Sequence, residues 1–308
     1  MGLAYEALKQ YAKARAQYLE AVEMIERQNA ALTALHRLPF FAGKVAGFPR
    51  LESYEGLVRV SVKLRDPAAA FHWAERTKAW GLPADLAPAE DPISQPIIAL
   101  KDQHGVVKWK YNLRLLEIEQ ELPLLSEAHL APRGHRGQAH PTDAAVHHPP
   151  SIAIADLEVP PGEALIAYEV TEPATYAWLV QDGRITKTLT IPLTRKALTE
   201  EVERYRGAVQ HPDATAERKG LARQLGGRLY RLLFEGFAPL LAKTQRVTLI
   251  PDEALRLLAF EALVIRAPTK TPSAATGHGA GRKGVRYLGA RYDLTYAQSA
   301  IALGQPRR

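Results

Sequence analysis

Small and aromatic residues return at helical intervals at the start of the chain. Gly2, Tyr5, Leu8, Tyr11, Ala14, Tyr18 and Ala21 are three or four positions apart, the spacing of one helix face. Small residues let helices approach and aromatic rings fill the grooves beside them, so residues 1–28 are predicted to form two packed helices. A second stripe, Tyr54, Leu57, Leu64, Ala70, Ala74 and Ala79, runs through 51–80. Asp66-Pro67 makes the turn between its two helices, because proline presets the first helical position. Its Glu75–Lys78 stretch reads as the exposed, charged face of an ordinary amphipathic helix.

The pattern then breaks. Pro83, Pro88, Pro92 and Pro96 mark a connector over 83–100. Apolar residues at Val106, Val107, Leu113, Leu116, Ile118 and Leu122 predict a bridging helix over 106–125. Residues 129–151 are rich in Pro and Gly and poor in apolar residues, the composition of a linker. From Ser151 the period changes to that of strands. Strands are predicted over 164–170, 174–180 and 184–190, the last two joined by an Asp182-Gly183 turn. Helices follow over 194–210 and 214–242, then a short apolar strand at 246–250. Residues 255–265 and 286–303 are strand-like or mixed. Strands and helices alternating in this order predict an α/β layer structure.

The first stripe resembles a tetratricopeptide (TPR) repeat, with Gly2, Tyr5, Ala14, Tyr18 and Ala21 in register with the family's small and aromatic positions. Residues 51–80 resemble a degenerate second repeat. In it Glu75, Arg76, Lys78 and Ala79 resemble the last repeat before a CHAT domain. The stretch Val247–Leu263 is similar to the CHAT signature of an apolar strand, Pro-Asp-Gly, a Leu and Pro-Phe-x-Ala-Leu. Pro251, Asp252, Leu255, Phe260, Ala262 and Leu263 match it. Glu253 stands where the family has Gly and Ala259 where it has Pro. Glutamate tolerates positive φ poorly, so the turn at Glu253 is expected to differ. Tyr287–Ser299 resembles the family's Tyr-Leu … Tyr-Ala-x-Ser element.

CHAT domains are caspase-like cysteine peptidases. The resemblance implies a catalytic His in a Thr-His-Gly context and a Cys in a Ser-Ala-Cys context, both C-terminal to Tyr-Ala-x-Ser. The chemistry needs a thiolate, an imidazole to manage the proton and N–H groups for the oxyanion. The chain has no cysteine. The first repeat opens at residue 1 inside its first helix, and Arg308 comes soon after Ser299, so a partial chain lacking the catalytic pair is expected.

Other candidates fall away on chemical grounds. His278, in Thr276–Gly279, follows loop composition instead of an apolar strand and precedes the Tyr-Ala-x-Ser element. Ser299 has no Gly-x-Ser-x-Gly elbow around it and reads as structural. The five histidines His129, His135, His140, His147 and His148 lie in the linker, which offers no rigid shell for a metal. Gly277–Gly281 lacks the Lys-Ser/Thr of a phosphate loop. No catalytic, cofactor-binding or metal-ligating residue is therefore assigned.

Charge adds one point. The net +7 is confined to 264–308, where eight basic residues face the single acid Asp293, while the rest carries 32 of each sign. A basic tail, not a basic face, argues against nucleic acid as the main partner. No apolar run approaches the ~20 residues of a membrane span, and no signal peptide is visible, so a cytoplasmic protein is expected.

The fold class expected is α + α/β: TPR-like helical hairpins over 1–82, a connector over 83–150, and the N-terminal part of a caspase-like domain over 151–308. The expected function is that of a TPR–CHAT protein, inactive alone, whose repeats bind a protein or peptide. A non-catalytic interaction scaffold is the alternative. An open sheet exposes unpaired edges, so 151–308 alone is expected to be poorly soluble.

Overall fold

A computed structural model describes residues 1–30, 40, 44, 45, 48–80, 153–210, 215–266, 285–301 and 303. The connector, the bridging helix at 106–125, the five linker histidines, His278 and Gly277–Gly281 lie outside them. The chain divides into two compact units, Met1–Gly56 with Ala79–Pro149, and Leu57–Lys78 with Pro150–Arg308. The helical segment 57–78 thus groups with the sheet, whereas the sequence placed a boundary at 82.

The first unit contains the helices α1 (Gly2–Ala7) and α2 (Tyr11–Ala30). Lys9 turns the chain with φ 57°, and the Gln10 amide reaches back to Tyr5 O at 2.8 Å. This is the six-to-one bond that closes a helix on a left-handed residue. The Tyr18 ring explains the glycine at position 2 of the stripe and another at Gly56. A Cβ on Gly2 would lie 2.5 Å from that ring, and so would one on Gly56. Glycine inside a helix costs about 1 kcal/mol against alanine. Gly56 is accepted because the ring occupies the space a methyl group needs. The Tyr18 hydroxyl donates to Glu6 at 2.8 Å.

Helix α3 (Glu52–Lys63) leads to α4 (Pro67–Trp80) through a turn of the same design. Arg65 has φ 59°, and the Asp66 amide reaches Ser61 O at 2.9 Å. Asp66 also caps α4, its Oδ1 accepting from the Ala69 amide at 3.0 Å, with Pro67 as the first helical residue. Tyr54 and Leu57 are buried as the stripe predicted, but Leu64, beside the turn, is exposed.

The second unit is built on a five-stranded mixed sheet. Its strands are β3 (Glu163–Val170), β4 (Thr175–Gln181), β5 (Arg184–Ile191), β6 (Arg246–Ile250) and β9 (Asp293–Tyr296), in the spatial order β5-β4-β3-β6-β9. The first three form an antiparallel meander. Its second turn is the expected one, with Asp182 and Gly183 both at positive φ, as a two-residue hairpin requires. β6 and β9 add in parallel to β3. Elsewhere β1 (Lys44–Val45) pairs with β2 (Phe48–Pro49), and β7 (Val264–Arg266) with β8 (Arg286–Tyr287).

The period-two alternation of β3 and β4 gives the sheet two buried faces. Ile166, Tyr168 and Val170, with Ala177 and Leu179, face helices α5 (Arg195–Gln210) and α6 (Ala216–Leu233). Leu165, Ala167, Tyr176, Trp178 and Val180 face α4 and Val58 of α3. The architecture is therefore helices plus a mixed five-stranded sheet, covered on both faces. α6 is shorter than the 214–242 expected. The chain leaves the helix at Phe234 and tightens into a 3-10 turn over Glu235–Phe237, with Gly236 so close to Leu189 of β5 that a Cβ would meet its methyl group at 2.7 Å. Pro239 then lacks the N–H needed to continue a helix.

Candidate functional site

Phe71, Ala74, Glu75 and Lys78 sit at i, i+3, i+4 and i+7 of α4 and are all buried. The charged stretch read as an exposed face is corrected here: half of the sheet-facing stripe of α4 is ionic. Spacing could not reveal this, since both sides of α4 carry charged residues. The aromatic half packs on the sheet, with Phe71 edge-on to Trp178 at 6.0 Å between ring centroids.

The ionic half meets the C-terminal ends of three neighbouring parallel strands. Lys78 Nζ lies 2.9 Å from Glu75 Oε1 and 3.7 Å from Glu169 Oε2 near the end of β3. The three side chains are at most 4% exposed. Thr77 Oγ1 donates to Ala74 O at 2.6 Å and also lies 3.2 Å from Glu169 Oε1. Glu75 Oε2 accepts from Ser299 Oγ at 2.9 Å and from the Ala300 amide, just beyond β9. Ser299 Oγ accepts in turn from the Ile301 amide at 3.1 Å. Following β6, Asp252 Oδ2 accepts from the Val170 amide at 2.9 Å, and Arg256 reaches its Oδ1 at 3.3 Å.

Burial alone would lower the Lys78 pKa, but the carboxylates of Glu75, Glu169 and Asp252 outweigh it and hold the ammonium above its ordinary value. Lys78 therefore stays charged at ordinary pH.

The turn after β6 carries the other departure from expectation. Glu253 takes φ 44°, the left-handed conformation open to the glycine of the matching motif. A non-glycine residue costs roughly 1–2 kcal/mol there. Arg195, at the start of α5, grips the side chain, with Nε 2.9 Å from both Glu253 oxygens. Its Nη1 donates to Glu172 at 2.7 Å and its Nη2 to Val170 O at 3.2 Å. Burial and the adjacent Asp252 raise the Glu253 carboxyl above its usual range against the pull of Arg195.

Nothing in this arrangement is a nucleophile with its base. Ser299 is fully buried and its hydroxyl donates to a carboxylate. Among the described residues no group of three or more His, Cys, Asp or Glu is placed to hold a metal, and no helix is long and apolar enough to cross a membrane. Of the basic stretch, Arg291 is engaged, donating to Ala242 O at 2.7 Å and lying over the Tyr292 ring. The sequence reading missed Glu169, Thr77 and Asp252 as members of one cluster. The available signal was Glu169 itself, an acid inside the apolar run of β3, since a buried charge needs a partner.

No family model matches the chain, nor does any curated protein or solved structure.

Proposed function

We propose that the chain is a TPR–CHAT-type protein, in which TPR-like hairpins precede the front of a caspase-like domain. It acts in the cytoplasm as a partial member of that caspase-like cysteine peptidase family and is inactive alone, having no cysteine. One observation carries this reading: two segments that resemble the family independently, around Glu75–Lys78 and at Tyr287–Ser299, meet in the Glu75–Ser299 hydrogen bond. Two further features support it. The helical hairpins close with the same left-handed turn at Lys9 and Arg65, and Glu253 keeps the positive φ of the motif's glycine.

The hairpins would bind a protein or peptide. The purified 308-residue chain is expected to leave fluorogenic peptide substrates intact, and measurable turnover would overturn the claim that it is inactive alone. Reading the coding DNA beyond the Arg308 codon tests the family: a His-Gly strand followed by a Ser-Ala-Cys strand supports a peptidase relative. Their absence there favours a second reading, a non-catalytic interaction scaffold.

A further inference from the structure

We infer that α4 is a latch on the C-terminal rim of the sheet, with Glu75 as its catch. Docked, the helix fixes Ser299–Ile301; displaced, it frees that segment. The two carboxylate oxygens of Glu75 work in opposite directions. Oε1 ties to Lys78, and through it to Glu169 on the central strand β3. Oε2 holds the Ser299 hydroxyl and the Ala300 amide beyond the edge strand β9. The Ser299 hydroxyl passes the hold to the Ile301 amide. A three-residue segment thus takes its position from a helix more than 220 residues earlier.

The chemistry of the contact explains why it is a latch and not merely adhesive packing. Apolar contacts tolerate small slides of a helix over a sheet. A buried carboxylate with an ammonium on one oxygen and two donors on the other is satisfied in one helix position only. Buried ion pairs are often no more stabilising than apolar residues of the same volume, yet removing one partner is costly. Such a cluster favours one docked geometry and makes departure from it cooperative. Its location adds to the case, because the rim beyond the C-terminal ends of parallel strands is where α/β sheets place functional loops.

The latch stands on contacts within this chain. Only its use, carrying partner binding from the hairpins towards whatever follows β9, rests on the function proposed above.

Amide hydrogen exchange of the full 308-residue chain tests it. In Glu75→Ala the Ala300 and Ile301 amides should exchange about tenfold faster or more, while Ala177 and Leu179 in β4 keep their wild-type rates. Ser299→Ala removes only a hydroxyl and should accelerate Ile301 while Ala300 stays protected by Glu75. Glu75→Gln, whose amide oxygen can still accept, should retain part of the Ala300 protection. Unchanged rates at Ala300 and Ile301 in Glu75→Ala would overturn the latch. So would acceleration of the β4 amides by the same factor, since the contact would then be general core stability. If Glu75→Ala does not fold, Ser299→Ala decides alone, and wild-type exchange at Ile301 overturns the proposal. Downstream DNA without His and Cys strands would end the family reading and leave the exchange result untouched.

Discussion

The two faces of the sheet are made by alternate residues of the same strands, yet they are covered by different chemistry. Towards α5 and α6, Ile166, Tyr168 and Leu179 meet Leu198, Val202, Tyr205, Leu229 and Leu233, and the one buried acid of α5, Glu201, pairs with Arg204 and Arg228. Towards α4, Trp178 and Val180 meet Phe71 and Ala74, but the far end of the same face is ionic, with Glu169, Glu75 and Lys78. The first face removes apolar area from water, at about 25 cal/mol per Å², and is tolerant of how its helices sit. The second gives up some of that gain to define one position for α4. Stability and positional definition are thus supplied by opposite sides of one sheet.

The comparison is best broken by removing one side. Expressing 151–308 without α4 uncovers Leu165, Ala167, Tyr176, Trp178 and Val180. This fragment is expected to aggregate or to unfold without a cooperative transition. A monomer by size exclusion with a sharp thermal transition would show that the α4 face is dispensable.

A point change on the ionic side comes next. Lys78→Met takes the ammonium away from the buried Glu75 and Glu169 carboxylates and should cost about 3–5 kcal/mol in urea unfolding. Replacing Glu75, Lys78 and Glu169 together with Leu, Met and Leu should recover only part of that loss, because the buried Ser299 hydroxyl and Ala300 amide lose their acceptor. If the single variant is as stable as wild type, the face is not positioned by charge.

On the apolar side, Tyr205→Phe removes the hydroxyl that donates to Ala262 O at 3.0 Å and should cost about 1 kcal/mol. The same tyrosine sharpens the pH response. Burial, then the nearby Tyr287 phenol, pushes its pKa up to about 12. A raised folded pKa gives stability that is complete below the unfolded value near ~10 and is lost as pH rises through the folded value. Tyr168, Tyr296 and Lys78, all raised, act with the same sign. Unfolding free energy should therefore fall above about pH 10, and less steeply in Tyr205→Phe. An equally steep fall in the variant would remove Tyr205 from the account.

The smallest effect is expected at the rim where the faces meet. Glu253→Gly relieves the positive φ but gives up the half-exposed pair with Arg195, worth at most ~1 kcal/mol. A net gain of about 0.5 kcal/mol is expected in urea unfolding. A loss would mean that the grip of Arg195 on the turn outweighs the backbone strain.

The apolar side was legible in the sequence, because alternation and helical periodicity are local signals. β3, β4, β5 and β6 lie within a residue or two of their expected limits, and Asp66-Pro67 marked the start of α4. The ionic side was not legible. Glu75 finds Lys78 three residues away and Ser299 224 away, and Lys78 finds Glu169 91 residues on; only the folded sheet brings the last two near. α6 was overextended although Pro239 lies inside the expected span and cannot continue a helix.

The Tyr18 ring between Gly2 and Gly56 has a consequence for how this part of the chain can vary. A methyl group at either glycine collides with the ring, whereas a ring replaced by a smaller side chain leaves room at both. The three positions therefore behave as one unit of inheritance. Substitutions harmful singly at Gly2 or Gly56 become tolerable only in backgrounds where position 18 has already shrunk, and a restored tyrosine requires both glycines back.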